Sequence, residues 1–120
     1  MANAQALEYA HHNLVTENEA DLTSTVAGAT LAIPTSQPFV SKTTGGVEAL
    51  TLANGEPGQV LTIYMAGDGG TGTLTPATST GWATIAFADV GDTATLLYVN
   101  DTMGWVILAV FGLTAQPTVA

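Results

Sequence analysis

From residue 58 to residue 110 the chain alternates short runs of Thr, Val, Ile, Leu and aromatic residues with turns that carry glycine and aspartate. The runs hold almost no charge; Asp68, Asp89, Asp92 and Asp101 all fall between them. Runs of this length with period-two alternation read as strands, and glycine, proline, asparagine and aspartate are the residues that turns require. Strands are expected at residues 23–26, 30–33, 39–42, 47–52, 59–65, 72–75, 82–87, 93–99 and 105–111. Many short strands with frequent turns predict an all-β fold: a small antiparallel sandwich, jelly roll or barrel.

The last two runs, 93–99 and 105–111, constrain the fold most. They flank Asn100-Asp101-Thr102-Met103-Gly104, a turn that offers a glycine for a left-handed residue, so they are expected to pair as a hairpin. Both faces of this ribbon are apolar, and a strand apolar on both faces needs cover on two sides. A chain of 120 residues has little material for that cover. Other copies or a larger surface are the economical source, so Leu97, Val99, Trp105 and Ile107 are expected at a trimer interface or in the core.

Residues 1–21 differ from the rest. Leu7, Tyr9, Ala10 and Leu14 have a loose helical spacing, which supports a short helix or an arm that orders on a partner. The expected organisation is an N-terminal arm or short helix, 1–21, followed by a β-domain, 22–120. No internal repeat is evident. The first residues lack a basic stretch and an unbroken apolar core, so no signal peptide is expected.

Charge narrows the partners. Ten carboxylates face a single base, Lys42, and the net charge is −9. Nucleic-acid binding depends on Lys and Arg against phosphates, so no nucleic-acid ligand is expected, and no anionic membrane for the same reason. Without cysteine there is no disulfide or thiolate-metal site.

Candidate chemistry is sparse, and no enzyme, metal or cofactor is expected. His11 and His12 are adjacent, and neighbours on a strand or helix point apart, so they read as solvated polar residues and not as ligands. The aspartates read as turn residues, since the 67–72 loop lacks calcium-loop spacing. Ser79 has no base nearby in sequence, and the glycines of 67–72 are not followed by a phosphate-binding lysine. Trp82, Trp105, Tyr64 and Tyr98 offer a sugar-stacking platform as one reading, and core or interface packing as the favoured one. Thr71, Thr73 and Thr75, like Thr93 and Thr95, fall in rows on a strand face, a weak sign of an ice-binding surface.

Residues 58–109 resemble a β-rich unit of tailed-bacteriophage structural proteins, namely small capsid decoration (cement) proteins and fibre-associated domains. The likeness lies in the opening Gly58-Gln59, in Gly81-Trp82 after a Thr-rich turn, in the Gly91-Asp92-Thr93 strand start, and in Gly104-Trp105 after the hairpin turn. It implies a homotrimer on the outer capsid surface of the virion that clamps neighbouring major capsid protein subunits, with no catalytic residue. Leu7, Tyr9 and Leu14 are then expected to contact the capsid. The alternative is a fibre- or spike-associated adhesion module that binds host glycans through Trp82, Tyr64 and the 67–72 loop. A small enzyme is the remaining alternative and would need a titratable cluster in a deep cleft.

Overall fold

The computed structural model describes residues 19–23 and 30–112, and Leu7, Tyr9, Leu14, His11 and His12 lie outside them. Nine strands are described: β1 (Glu19–Thr23), β2 (Thr30–Ala32), β3 (Phe39–Thr43), β4 (Glu48–Leu52), β5 (Val60–Gly67), β6 (Gly72–Pro76), β7 (Ile85–Phe87), β8 (Thr93–Tyr98) and β9 (Trp105–Phe111). No helix occurs among the described residues. β1 crosses the boundary expected between residues 21 and 22, and the first expected strand meets it only at Thr23. β7 is shorter than expected: Trp82 precedes it in a bend where the Ser79 hydroxyl donates to the Trp82 carbonyl at 2.6 Å.

The strands form a five-stranded sheet, ordered β1-β3-β5-β8-β9, and a four-stranded sheet, ordered β2-β4-β6-β7. Up to β6 the chain visits the two sheets alternately, and each return lays a strand parallel to the one before. Glu19 lies beside Phe39, and Phe39 beside Thr62; Thr30 lies beside Ala49, and Ala49 beside Thr73. The chain thus winds as a flattened coil. The last three strands reverse this, because β6–β7, β5–β8 and β8–β9 are antiparallel.

The described residues are all-β, as expected, but the expected antiparallel pairing is corrected: the two sheets are mixed, and neither closes on itself as a barrel would. Parallel neighbours need a crossover connection, and here each crossover is a strand of the opposite sheet. Alternation and turn chemistry are the same in either arrangement, so local sequence does not distinguish them.

The coil also corrects the reading that no repeat exists. Gly45-Gly46 and Gly69-Gly70 occupy successive turns, each followed by the same Leu-Thr pair, Leu50-Thr51 and Leu74-Thr75, which lie in register. The turns stack at backbone contact. A β-carbon on Gly69 would lie 2.3 Å from the Thr44 carbonyl oxygen, and one on Gly70 would lie 2.4 Å from the Gly46 carbonyl carbon. The Thr44 hydroxyl ties the turns together: it donates to the Gly70 carbonyl at 2.7 Å and accepts from the Gly69 amide at 3.0 Å.

The inward faces of the sheets share one core. Leu61, Ile63 and Met65 of β5 and Ala94, Leu96 and Tyr98 of β8 meet Leu50, Leu52, Leu74, Ile85 and Phe87 of the facing sheet. Strict alternation along β4, β5 and β8 produces this division, since successive side chains point to opposite faces.

Candidate functional site

β8 and β9 form the expected hairpin, and its two faces have different fates. The inward face is sealed by the chain itself. Trp105 is fully buried and anchors three segments. Its ring N–H donates to the Ala53 carbonyl at 2.9 Å, and its backbone N–H donates to the Thr78 carbonyl at 3.0 Å. Its carbonyl accepts from the Trp82 ring N–H at 3.0 Å and from the Thr80 amide at 3.2 Å. The Tyr98 ring meets the Trp105 ring edge-on, with centroids 5.2 Å apart. Trp105 therefore belongs to the core, and Ile107 packs half-buried against that core.

The outward face is not sealed. Val60, Leu97 and Val106 form one row across β5, β8 and β9. Thr62 and Thr95 sit in the next row, their hydroxyls 3.1 Å apart. Tyr64 and Thr93 lie in the row that ends at Phe111, and the Tyr64 ring stacks on Phe39 at 6.3 Å. Val60 is 43% exposed, Leu108 54% and Phe111 77%. Leu97 and Val99 are half-buried, and the Val99 amide closes the hairpin by donating to the Gly104 carbonyl at 3.0 Å.

A bulge helps to create this surface. Thr95 lies opposite Ala109 and Leu96 opposite Ile107, so Leu108 is an extra residue without an opposite number. Bulges re-aim side chains and twist the strand that carries them. Among the four residues expected at a trimer interface or in the core, Trp105 and Ile107 therefore face inward, and Leu97 faces outward. Sequence reasoning missed Val60, Leu108 and Phe111. Alternation counted from Leu61 would have found Val60, but a bulge shifts the parity of β9 without any local signature.

Charge stays away from the β5-β8-β9 part of this face, while β1 places Glu19 in register with Phe39 and Asp21 in register with Ser41 at the far side of β3. Among the described residues, Glu56, Asp68, Asp89 and Asp101 are exposed, and all four sit in turns. β1, at the opposite edge of the sheet from β9, carries Glu19 and Asp21. Lys42 is 1% exposed and paired with Glu48 at 2.8 Å. Since Lys42 is the sole Lys or Arg, none is exposed on this protein.

The remaining polar groups do structural work. Asp92 is buried, and its Oδ2 accepts from the Ala88 amide at 2.8 Å and the Asp89 amide at 3.0 Å, which fixes the turn before β8. The Tyr98 hydroxyl donates to Asp101 Oδ1. Burial, with the Asp101 hydrogen bond second, pushes the Tyr98 hydroxyl up to about 12. Among the described residues, no three His, Cys, Asp or Glu gather where they would hold a metal ion.

Of the four aromatics, Trp82, Trp105 and Tyr98 are buried in the core, as the favoured reading expected, and Tyr64 is half-buried on the outward face, which leaves no sugar platform among them. The 67–72 loop is packed on the Gly45-Gly46 turn and not spread around a cleft. The threonines divide between the sheets. Thr93 and Thr95 belong to the five-stranded sheet, whereas Thr73 and Thr75 join Thr30, Ala32, Ala49 and Thr51 on the outward side of the four-stranded sheet. Set against known proteins, no family model matches the chain, and no curated protein matches it.

Proposed function

We propose that this chain is a non-enzymatic decoration (cement) protein of a bacteriophage capsid. It sits on the outer capsid surface of the virion as a homotrimer and stabilises contacts between major capsid protein subunits. The observation that carries the reading is the uncharged apolar surface of Val60, Leu97, Val106, Leu108 and Phe111 beside the edge of β9, which beyond Trp105 pairs with no further strand among the described residues. A large exposed apolar patch marks an interaction site, and an open edge strand is a liability unless something covers it. Closed cyclic symmetry removes both problems. The resemblance of residues 58–109 to phage structural units supplies the setting, and Leu7, Tyr9 and Leu14 supply apolar groups for contact with the shell.

The reading also has a physical logic. Many copies on one shell turn modest individual affinities into firm attachment, because each further contact is intramolecular. The test is co-sedimentation of purified protein with undecorated shells of the phage that encodes it, followed by cryo-electron microscopy. Threefold density on the outer surface, and shells that withstand more heat when decorated, are the expected results. Protein that stays in the supernatant at saturating concentration overturns the proposal.

A further inference from the structure

We infer that the outward face of the five-stranded sheet, from β5 to β9, is where copies of this chain meet, three such faces turning toward a common axis. The inference rests on the homotrimer reading and adds to it the surface and the physical kind of contact. Charge decides the occupant. Lys42 is sealed against Glu48, so no copy can offer a Lys or Arg to the carboxylates of another. Contact between two copies is then least costly where neither brings a carboxylate. Val60, Tyr64, Leu97, Val106 and Phe111 on β5, β8 and β9 meet that condition, with the exposed acids Glu56, Asp68, Asp89 and Asp101 held in the turns beyond the strands and Glu19 and Asp21 on β1, beyond β3. The same surface is a poor seat for a basic partner, because a Lys or Arg buried against it would lose water and gain no counter-charge. A second copy brings an uncharged apolar surface of the same kind.

The outward side of the four-stranded sheet is the competing surface, and it is also uncharged in its described part. Its residues are Thr30, Ala32, Ala49, Thr51, Thr73 and Thr75. Small side chains and hydroxyls release little apolar area, whereas permanent interfaces between identical subunits are the more apolar class. β9 adds a reason. It is an edge strand that itself carries the exposed Leu108 and Phe111, so one contact covers the edge beyond Trp105 and the apolar patch together.

The test uses the full chain in three variants, Leu108→Asp, Phe111→Asp and, on the other sheet, Thr51→Asp. Mass is measured by light scattering and folding by circular dichroism. Wild type and Thr51→Asp are expected to remain trimers. Leu108→Asp and Phe111→Asp are expected to fall to one third of that mass with unchanged spectra, since both side chains are exposed in the single chain. Salt gives a second readout. Raising ionic strength from about 0.01 M to about 1 M shortens the screening length from ~30 Å to ~3 Å, which removes repulsion between the acidic copies and should tighten the trimer. A monomeric wild type, variants that stay trimeric, or a trimer that loosens with salt each overturn the inference. Trimeric variants that no longer bind shells would assign the face to the capsid, which sinks this inference and leaves the decoration reading standing. Failure of wild-type trimers to bind shells sinks the decoration reading alone.

Discussion

The Lys42 ammonium lies 2.8 Å from Glu48 Oε1, and neither side chain reaches solvent. The pair spans the turn from β3 to β4, so it joins the two sheets at the middle winding of the coil. Lys42 also donates to the Thr43 carbonyl at 2.7 Å, and Glu48 Oε2 accepts from the Gly45 amide at 2.7 Å. The pair therefore closes a polar network around the glycine turn on which the next turn stacks.

Removing one member leaves the other charge buried. Lys42→Met and Glu48→Leu are each expected to lower stability by about 3–5 kcal/mol, whereas combining the two should recover much of the loss. Recovery is incomplete because the Gly45 amide still loses its acceptor. Urea unfolding of the two single variants and the double variant measures this, and additive losses would contradict the coupling.

The same burial makes Lys42 chemically silent. Its amine should resist acylation in the native protein and react once urea is added, as followed by peptide mass spectrometry. Trypsin, which needs Lys or Arg, has only this site and requires it unfolded. Rapid cleavage at Lys42 under native conditions would contradict the described burial.

Gly104 and Gly58 both adopt positive φ, 68° and 87°, but their surroundings differ. A β-carbon on Gly58 would meet nothing within 4 Å, whereas on Gly104 it would lie 2.2 Å from the Thr78 carbonyl oxygen. Gly58→Ala is expected to cost only the left-handed backbone strain, about 1–2 kcal/mol. Gly104→Ala should cost more, because it also displaces the loop that Trp105 holds through Thr78. Melting temperatures of the two variants give the comparison, and equal losses would show that the Thr78 contact is unimportant.

Tyr98 predicts loss of stability in alkali. Its folded-state hydroxyl is raised to about 12 from an ordinary value of 10, by burial and then by Asp101. Between these values the folded chain keeps a proton that the unfolded chain releases, so stability falls as pH rises from about 10 to about 12. Below pH 10 the contribution is fully present. Tyrosinate absorbance should show one late-titrating group that vanishes in Tyr98→Phe, and denaturant midpoints of that variant should be less sensitive to pH in this window.

Much of the strand content was legible locally. Alternation in Val60–Gly67 and Thr93–Tyr98, and glycine or aspartate at the breaks, follow from backbone geometry and need no distant partner. The hairpin of β8 and β9 was legible too, since its turn and both strands are contiguous. Glycine pairing at Gly45-Gly46 and Gly69-Gly70 was present in the sequence as a repeat, but unequal spacing between windings hid it.

The sequence by itself determined that strands would form, that the turns from residue 58 onward would hold the acids, and that a single base stands against ten carboxylates. These follow from local backbone preference and from counting. Only the tertiary structure decided that the strands wind in parallel, that Trp82 and Trp105 turn inward, and that a bulge carries Leu108 outward. Parallel and antiparallel strands share one alternation pattern, and which of two apolar faces is sealed depends on what the rest of the chain lays against it.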